Sequence, residues 1–111
     1  MNKLNRMAIV VLPREELIDW VNSVDPEHPI WLDAVSDRGN VYLIPEFEAI
    51  EDAEDWVEDH FEEIFENELR DWVPDEKDWP SERTFETFLE WFDVLYDIVA
   101  FDTVNEPIRK S

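Results

Sequence analysis

The chain has 111 residues, of which 30 are acidic and 9 basic, for a formal net charge of −21; nucleic acid and anionic membranes both call for a positive footprint and are excluded as direct partners. Apolar residues make up 44% of the sequence and include six tryptophans, seven phenylalanines and two tyrosines, a composition that folds into one domain despite the charge. With no cysteine, disulfides, thiolate nucleophiles and sulfur-ligated metals drop out, and no run reaches the roughly 18 apolar residues of a membrane span.

Along the chain, Met7-Ala8-Ile9-Val10-Val11-Leu12 is a continuous apolar run rich in β-branched residues, which predicts a strand buried on both faces. It is shorter than the apolar region of a signal peptide and lacks a small-residue cleavage site, so a cytoplasmic location is expected. Pro13 suits the first position of a helix over 14–24, with Glu15 and Glu16 favourably placed in its first turn. Leu17, Ile18, Trp20, Val21 and Val24 supply its apolar face, and Asp25-Pro26 stops it. Ile30 to Val35 fits a helical turn or a short strand, closed by the turn-forming Asp37-Arg38-Gly39-Asn40. Val41-Tyr42-Leu43-Ile44 reads as a second strand ended by Pro45.

Residues 49–72 form the clearest element. Ala53, Trp56, Val57, His60, Phe61, Ile64, Phe65 and Leu69 recur at three- and four-residue spacings, as one face of a helix does. A further helix is predicted over 82–97, with Ser81 or Thr84 as N-cap and Phe85, Phe88, Leu89, Phe92, Leu95 and Val99 toward the core. Glu86, Glu90, Asp93 and Asp97 would form an acidic ridge along it. Residues 98–103 either continue this helix or turn into a third strand. The expected fold class is α+β: a small two- or three-stranded sheet, from 7–12, 41–44 and 98–103, packed against about three amphipathic helices in a single domain, 1–111.

The charge is uneven. Residues 1–45 carry a net −3, residues 46–106 a net −20, and Arg109 and Lys110 return two positive charges. Between Glu51 and Trp72 eleven carboxylates face one arginine. Like charges four apart occur at 51/55, 54/58, 55/59, 58/62, 59/63 and 62/66, and together cost about 1–3 kcal/mol at low salt; only Glu66 and Arg70 form a favourable pair at that spacing. An ordinary solvated helix face mixes Glu with Lys. Charge of one sign serves solubility or halophilic adaptation on the bland reading, and recognition of a basic partner on the functional one. The candidate recognition face comprises Glu51, Asp55, Glu58, Asp59, Glu62, Glu63 and Glu66, extended by Glu86, Glu90, Asp93 and Asp97. Such rows of carboxylates imitate a phosphate backbone or plug a cationic nuclease as an immunity protein does. In both cases charge steers a fast, salt-sensitive association.

Chemistry finds no comparable foothold. The di-iron helix signature places Glu three residues before His, whereas Val57 precedes His60 at that spacing. His60 lies within the apolar stripe, as a core or boundary histidine. Asp75-Glu76-Lys77-Asp78 lacks the alternating acids and glycine of a calcium loop, and a single glycine, Gly39, rules out glycine-rich phosphate loops. No metal, no cofactor and no catalytic residue is predicted; an enzyme would require a pocket holding a desolvated carboxylate. Trp31, Trp72 and Trp79, at element ends, are candidate interface aromatics, and a homodimer built on them is the alternative, with the acids serving solubility alone.

Ala8 to Pro13, Val41 to Glu46, Phe61 to Glu66, Trp79-Pro80, Arg83-Thr84-Phe85 and Glu90-Trp91-Phe92 together resemble a group of short, acidic, uncharacterised bacterial proteins. The resemblance covers nearly the whole chain through core and turn residues. It implies a stand-alone bacterial cytosolic domain and carries no activity onto these positions.

Overall fold

The computed structural model describes residues 1–110, with the side chains of residues 97–100 outside that description. Strand β1 (Asn2–Pro13) is followed by helices α1 (Glu15–Val24) and α2 (Leu32–Val35), then by strand β2 (Asn40–Pro45). Helix α3 (Ile50–Trp72), a 3-10 turn (Glu76–Asp78), helix α4 (Phe85–Trp91) and strand β3 (Phe92–Asp102) complete the order. The strands form one antiparallel sheet in the order β2-β1-β3. The fold is α+β.

Strand β1 is central because it is the most apolar stretch, and Ile9 and Val11 are fully buried against the helices. Strand alternation puts Tyr42 and Ile44 beside Ile9 and Met7 on that same side. Phe65 and Leu69 from α3, Phe88 from α4 and Phe92 from β3 close the core. Phe65 is its aromatic hub: its ring lies 5.5 Å from Phe88, 5.8 Å from Trp91 and 5.9 Å from Phe92. Burying side chains of this size contributes roughly 1.5–3 kcal/mol each, enough to hold α3 against its own charge repulsion.

Two-sided burial of β1 holds only in part. Met7, Ala8 and Ile9 are buried in succession, but Val10 and Leu12 are half-exposed. Their side of the sheet carries no helix and continues into exposed Val41, Leu43 and Leu95. Gly39 packs here: a Cβ on it would run into Leu12 and come within 3.0 Å of the Val11 carbonyl oxygen.

Pro13 ends β1 rather than opening α1, whose N-cap is Arg14 and whose first turn holds Glu15 and Glu16. Between α1 and β2 the helical alternative is realised, as Leu32–Val35. Asn22 pins the segment before it, donating to the Ile30 carbonyl at 2.9 Å and accepting from the Ile30 amide at 2.8 Å.

The helix predicted over 82–97 is the main correction. Thr84 is its N-cap, accepting from the Thr87 amide at 3.1 Å, but the helix ends at Trp91 and Phe92 begins β3. Val94, Leu95 and Tyr96 suit a strand, and β1 offers an open edge to pair with. Arg14 secures the switch: its guanidinium donates to the Leu89 carbonyl at 3.1 Å, and its amide donates to the Trp91 carbonyl at 2.8 Å. Two carbonyls of the last helical turn are thereby satisfied.

Candidate functional site

The outer face of α3 holds the predicted recognition residues. Glu51, Asp55, Glu58, Asp59, Glu62 and Glu63 are all exposed, because the three- and four-residue repeat of Ala53, Val57, Ile64, Phe65 and Leu69 turns the opposite side to the sheet. No ion pair engages these six acids among the described residues. Glu66 differs. It is half-buried and pairs with Arg83 at 3.5 Å. The Glu66–Arg70 pair expected from spacing is replaced, since Arg70 reaches Glu76 at 3.6 Å and lies 5.4 Å over the Trp79 ring.

The acidic ridge of 86, 90, 93 and 97 does not exist as one row. Glu86 and Glu90 are exposed one turn apart on α4, while Asp93 and Asp97 belong to β3; the Asp97 side chain lies outside the described residues. The structure brings Asp93 instead to the α3 acids. A cleft of about 370 Å³ is lined by Glu54, Asp55 and Glu58 of α3 and by Asp93, together with Phe85 and Tyr96. Burial, with the Glu54 charge nearby, pushes the Tyr96 phenol up to about 12. Arg14, 3.8 Å from Asp93, is the cation of this cleft.

The candidate aromatics separate. Trp72 and Trp79 are half-buried and packed on the core. The Trp79 indole donates to the Val73 carbonyl at 2.7 Å and is flanked by Arg70 and Arg83. Trp31 is 67% exposed. His60 is exposed as well, not part of the buried stripe. It stacks on Trp56 at 4.1 Å and its Nδ1 lies 2.7 Å from the Trp56 carbonyl oxygen, to which it donates as that tautomer. Among the described residues no group of three or more His, Asp or Glu side chains could hold a metal ion, and no helix is long and apolar enough to cross a membrane.

A desolvated carboxylate is present, at a position the sequence reading passed over. Glu68 is 1% exposed and accepts hydrogen bonds from the Tyr42 hydroxyl and, at 2.6 Å, from Asn40 Nδ2. Asn67 donates to the Tyr42 oxygen at 2.8 Å, and Asn40 also reaches Asp71 at 2.7 Å. Burial raises the Glu68 carboxyl above its ordinary range, with a contribution from Asp71, against the two donors that lower it. Burial, and then the bond to Glu68, raises the Tyr42 phenol too. These bonds latch β2 to α3. Beside the latch, β2 and α3 enclose a groove of about 500 Å³. No family model, no curated protein and no solved structure matches the chain.

Proposed function

We propose that this chain is a non-enzymatic binding domain that recognises a basic protein through the outer face of α3. The observation that carries the reading is the unpaired charge of that face. Glu51, Asp52, Asp55, Glu58, Asp59, Glu62 and Glu63 are exposed along α3 and, at about 1.5 Å of rise per residue, span roughly 18 Å. That is about one charge per 2.6 Å of axis, between the values of about 3.4 Å for one DNA strand and about 1.7 Å for the duplex. A cleft built to bind a phosphate backbone meets a comparable field here, which favours a nucleic-acid-mimicking or inhibitory role. A field of this kind accelerates encounter and weakens with salt.

The test is retention of partners by immobilised protein and by the variant Asp55→Lys, Glu58→Lys, Asp59→Lys, Glu62→Lys, with helicity checked by circular dichroism. A basic protein that elutes from the wild type as salt rises, and is lost on the folded variant, is the expected result. Equal retention by both would refute the role of this face.

A homodimer is the second reading, and one observation favours it: Val41, Leu43 and Leu95 form an exposed apolar patch on the helix-free side of the sheet. With Trp72 and Trp79 packed, Trp31 is the aromatic left to such an interface. Light scattering across a concentration series, with Leu43→Lys as the disrupting variant, distinguishes it.

A further inference from the structure

The groove between β2 and α3 differs from the acidic face in what it offers. Three consecutive residues of β2, Tyr42, Leu43 and Ile44, line it. Successive side chains of a strand point to opposite faces of the sheet, so a cavity touched by all three lies along the backbone edge of the strand. That edge is open: β2 is the outermost strand, paired only with β1. Its outward N–H and C=O groups are a template for one more strand.

The opposite wall is α3, contributing Trp56, His60, Glu63 and, at the far end, Arg70. From Trp56 to Arg70 the helix rises about 21 Å, and the six residues of β2 extend about 20 Å. The wall is as long as the whole strand, and the groove meets the strand at Tyr42, Leu43 and Ile44, where about three residues of an added strand would lie. The Tyr42–Glu68 and Tyr42–Asn67 bonds set the spacing between them.

We infer that an extended peptide segment of alternating basic and apolar residues adds to β2 in this groove. It rests on the basic-partner reading above and names the form the partner takes. An added strand shows alternate side chains to the two faces of the sheet. Those on the α3 side meet Glu63, with exposed Asp59 and Glu62 beyond it, and are therefore basic. Those on the other side meet Val41 and Leu43, 64% and 49% exposed, and are therefore apolar. A second copy does not fit this edge. Pairing two β2 strands across a two-fold axis would bring α3 of each copy, with its row of carboxylates, beside the other.

The probe is a capped octapeptide alternating lysine and valine, titrated into the full chain and followed by amide chemical shifts. Two derivatives carry N-methyl groups, one on every lysine and the other on every valine. In a strand, residues whose side chains share a face send their N–H groups to the same edge, so only one derivative has lost the ladder toward β2. The expected result is binding of the parent with shifts at Val41 to Ile44. One derivative should retain that affinity and the other lose it by roughly tenfold or more. Glu63→Lys should weaken the parent, and Asp19→Lys, at an exposed position of α1 outside the groove, should not. Equal binding of both derivatives would overturn strand addition while leaving charge recognition by α3 intact. Absence of binding, or β2 shifts that depend on protein concentration without peptide, would overturn it as well. The four-lysine variant tests the acidic face by partner retention, whereas the two N-methyl derivatives test the β2 edge in the unaltered protein.

Discussion

Glu68 is a carboxylate held where its charge is unwelcome, and its protonation is linked to folding. Burial raises its folded pKa above the unfolded value of about 4.3. Between these two values the folded state binds more protons than the unfolded state, so this group's contribution to stability falls as pH rises through the window and stays lower above it. Below the unfolded value both states are protonated and the contribution is flat. Glu68→Gln keeps a carbonyl to accept from Tyr42 and Asn40 and cannot ionise. Its urea midpoint relative to wild type should therefore improve as pH rises from about 4 to about 7. A difference that stays constant across that range would mean that folding leaves the carboxyl unshifted, and one that worsens as pH rises would show that the ionised carboxylate, with its two donors, is the favoured form. Glu68 stands four residues after Ile64 and three after Phe65, on the buried face, so its burial could be inferred from spacing. A reading that counts only apolar residues misses it. Its donors, Tyr42 and Asn40, come from β2, 26 and 28 residues away, and no local pattern announces them.

At the scale of elements, legibility followed whether local pattern and tertiary demand agreed. In α3 the apolar repeat runs for six turns and nothing competes, so its limits, Ile50–Trp72, lie within a residue of those expected. Between Phe85 and Val99 the apolar residues satisfy the helical spacing and, from Phe92, the strand alternation as well. The unpaired edge of β1 decided for the strand, and the register to β3 contains bulges that sequence does not display. The acidic ridge dissolved with that choice, and Asp93 came to border, at the edge of the sheet, the cleft that Glu58 also lines. Glu58 is repelled by Glu54 and Glu62 at four-residue spacing. Glu58→Lys turns both helical pairs attractive, for a gain of about 1 kcal/mol at low ionic strength. Chemical denaturation at low and moderate salt checks this: the gain should be present in the first and reduced in the second. No gain at low salt would mean that these carboxylates do not oppose the helix.

For the molecule as a whole, charge and apolar surface are segregated. The helical side carries the exposed acids of α3 and α4, whereas the open side of the sheet, by strand alternation, presents Val10, Leu12, Val41, Leu43 and Leu95, together with Arg6 and Asp93 among the described residues. Repulsion therefore acts mostly within one layer, over a body whose long axis is 46 Å. At an ionic strength of about 0.01 M the screening length is roughly 30 Å and charges along most of α3 feel one another; at about 0.15 M it is roughly 8 Å and only neighbours do. Compactness is opposed by the first condition and relieved in the second. The melting temperature should accordingly rise by several degrees between them, since about 1 kcal/mol moves a domain of this size by roughly 4–8 °C. An unchanged or lower melting temperature would mean that the acids are arranged without net cost to the fold. A rise would mean that the fold keeps an unfavourable charge layer which solubility alone does not need concentrated on one side, and binding of a basic segment should then stabilise the chain by relieving the same repulsion.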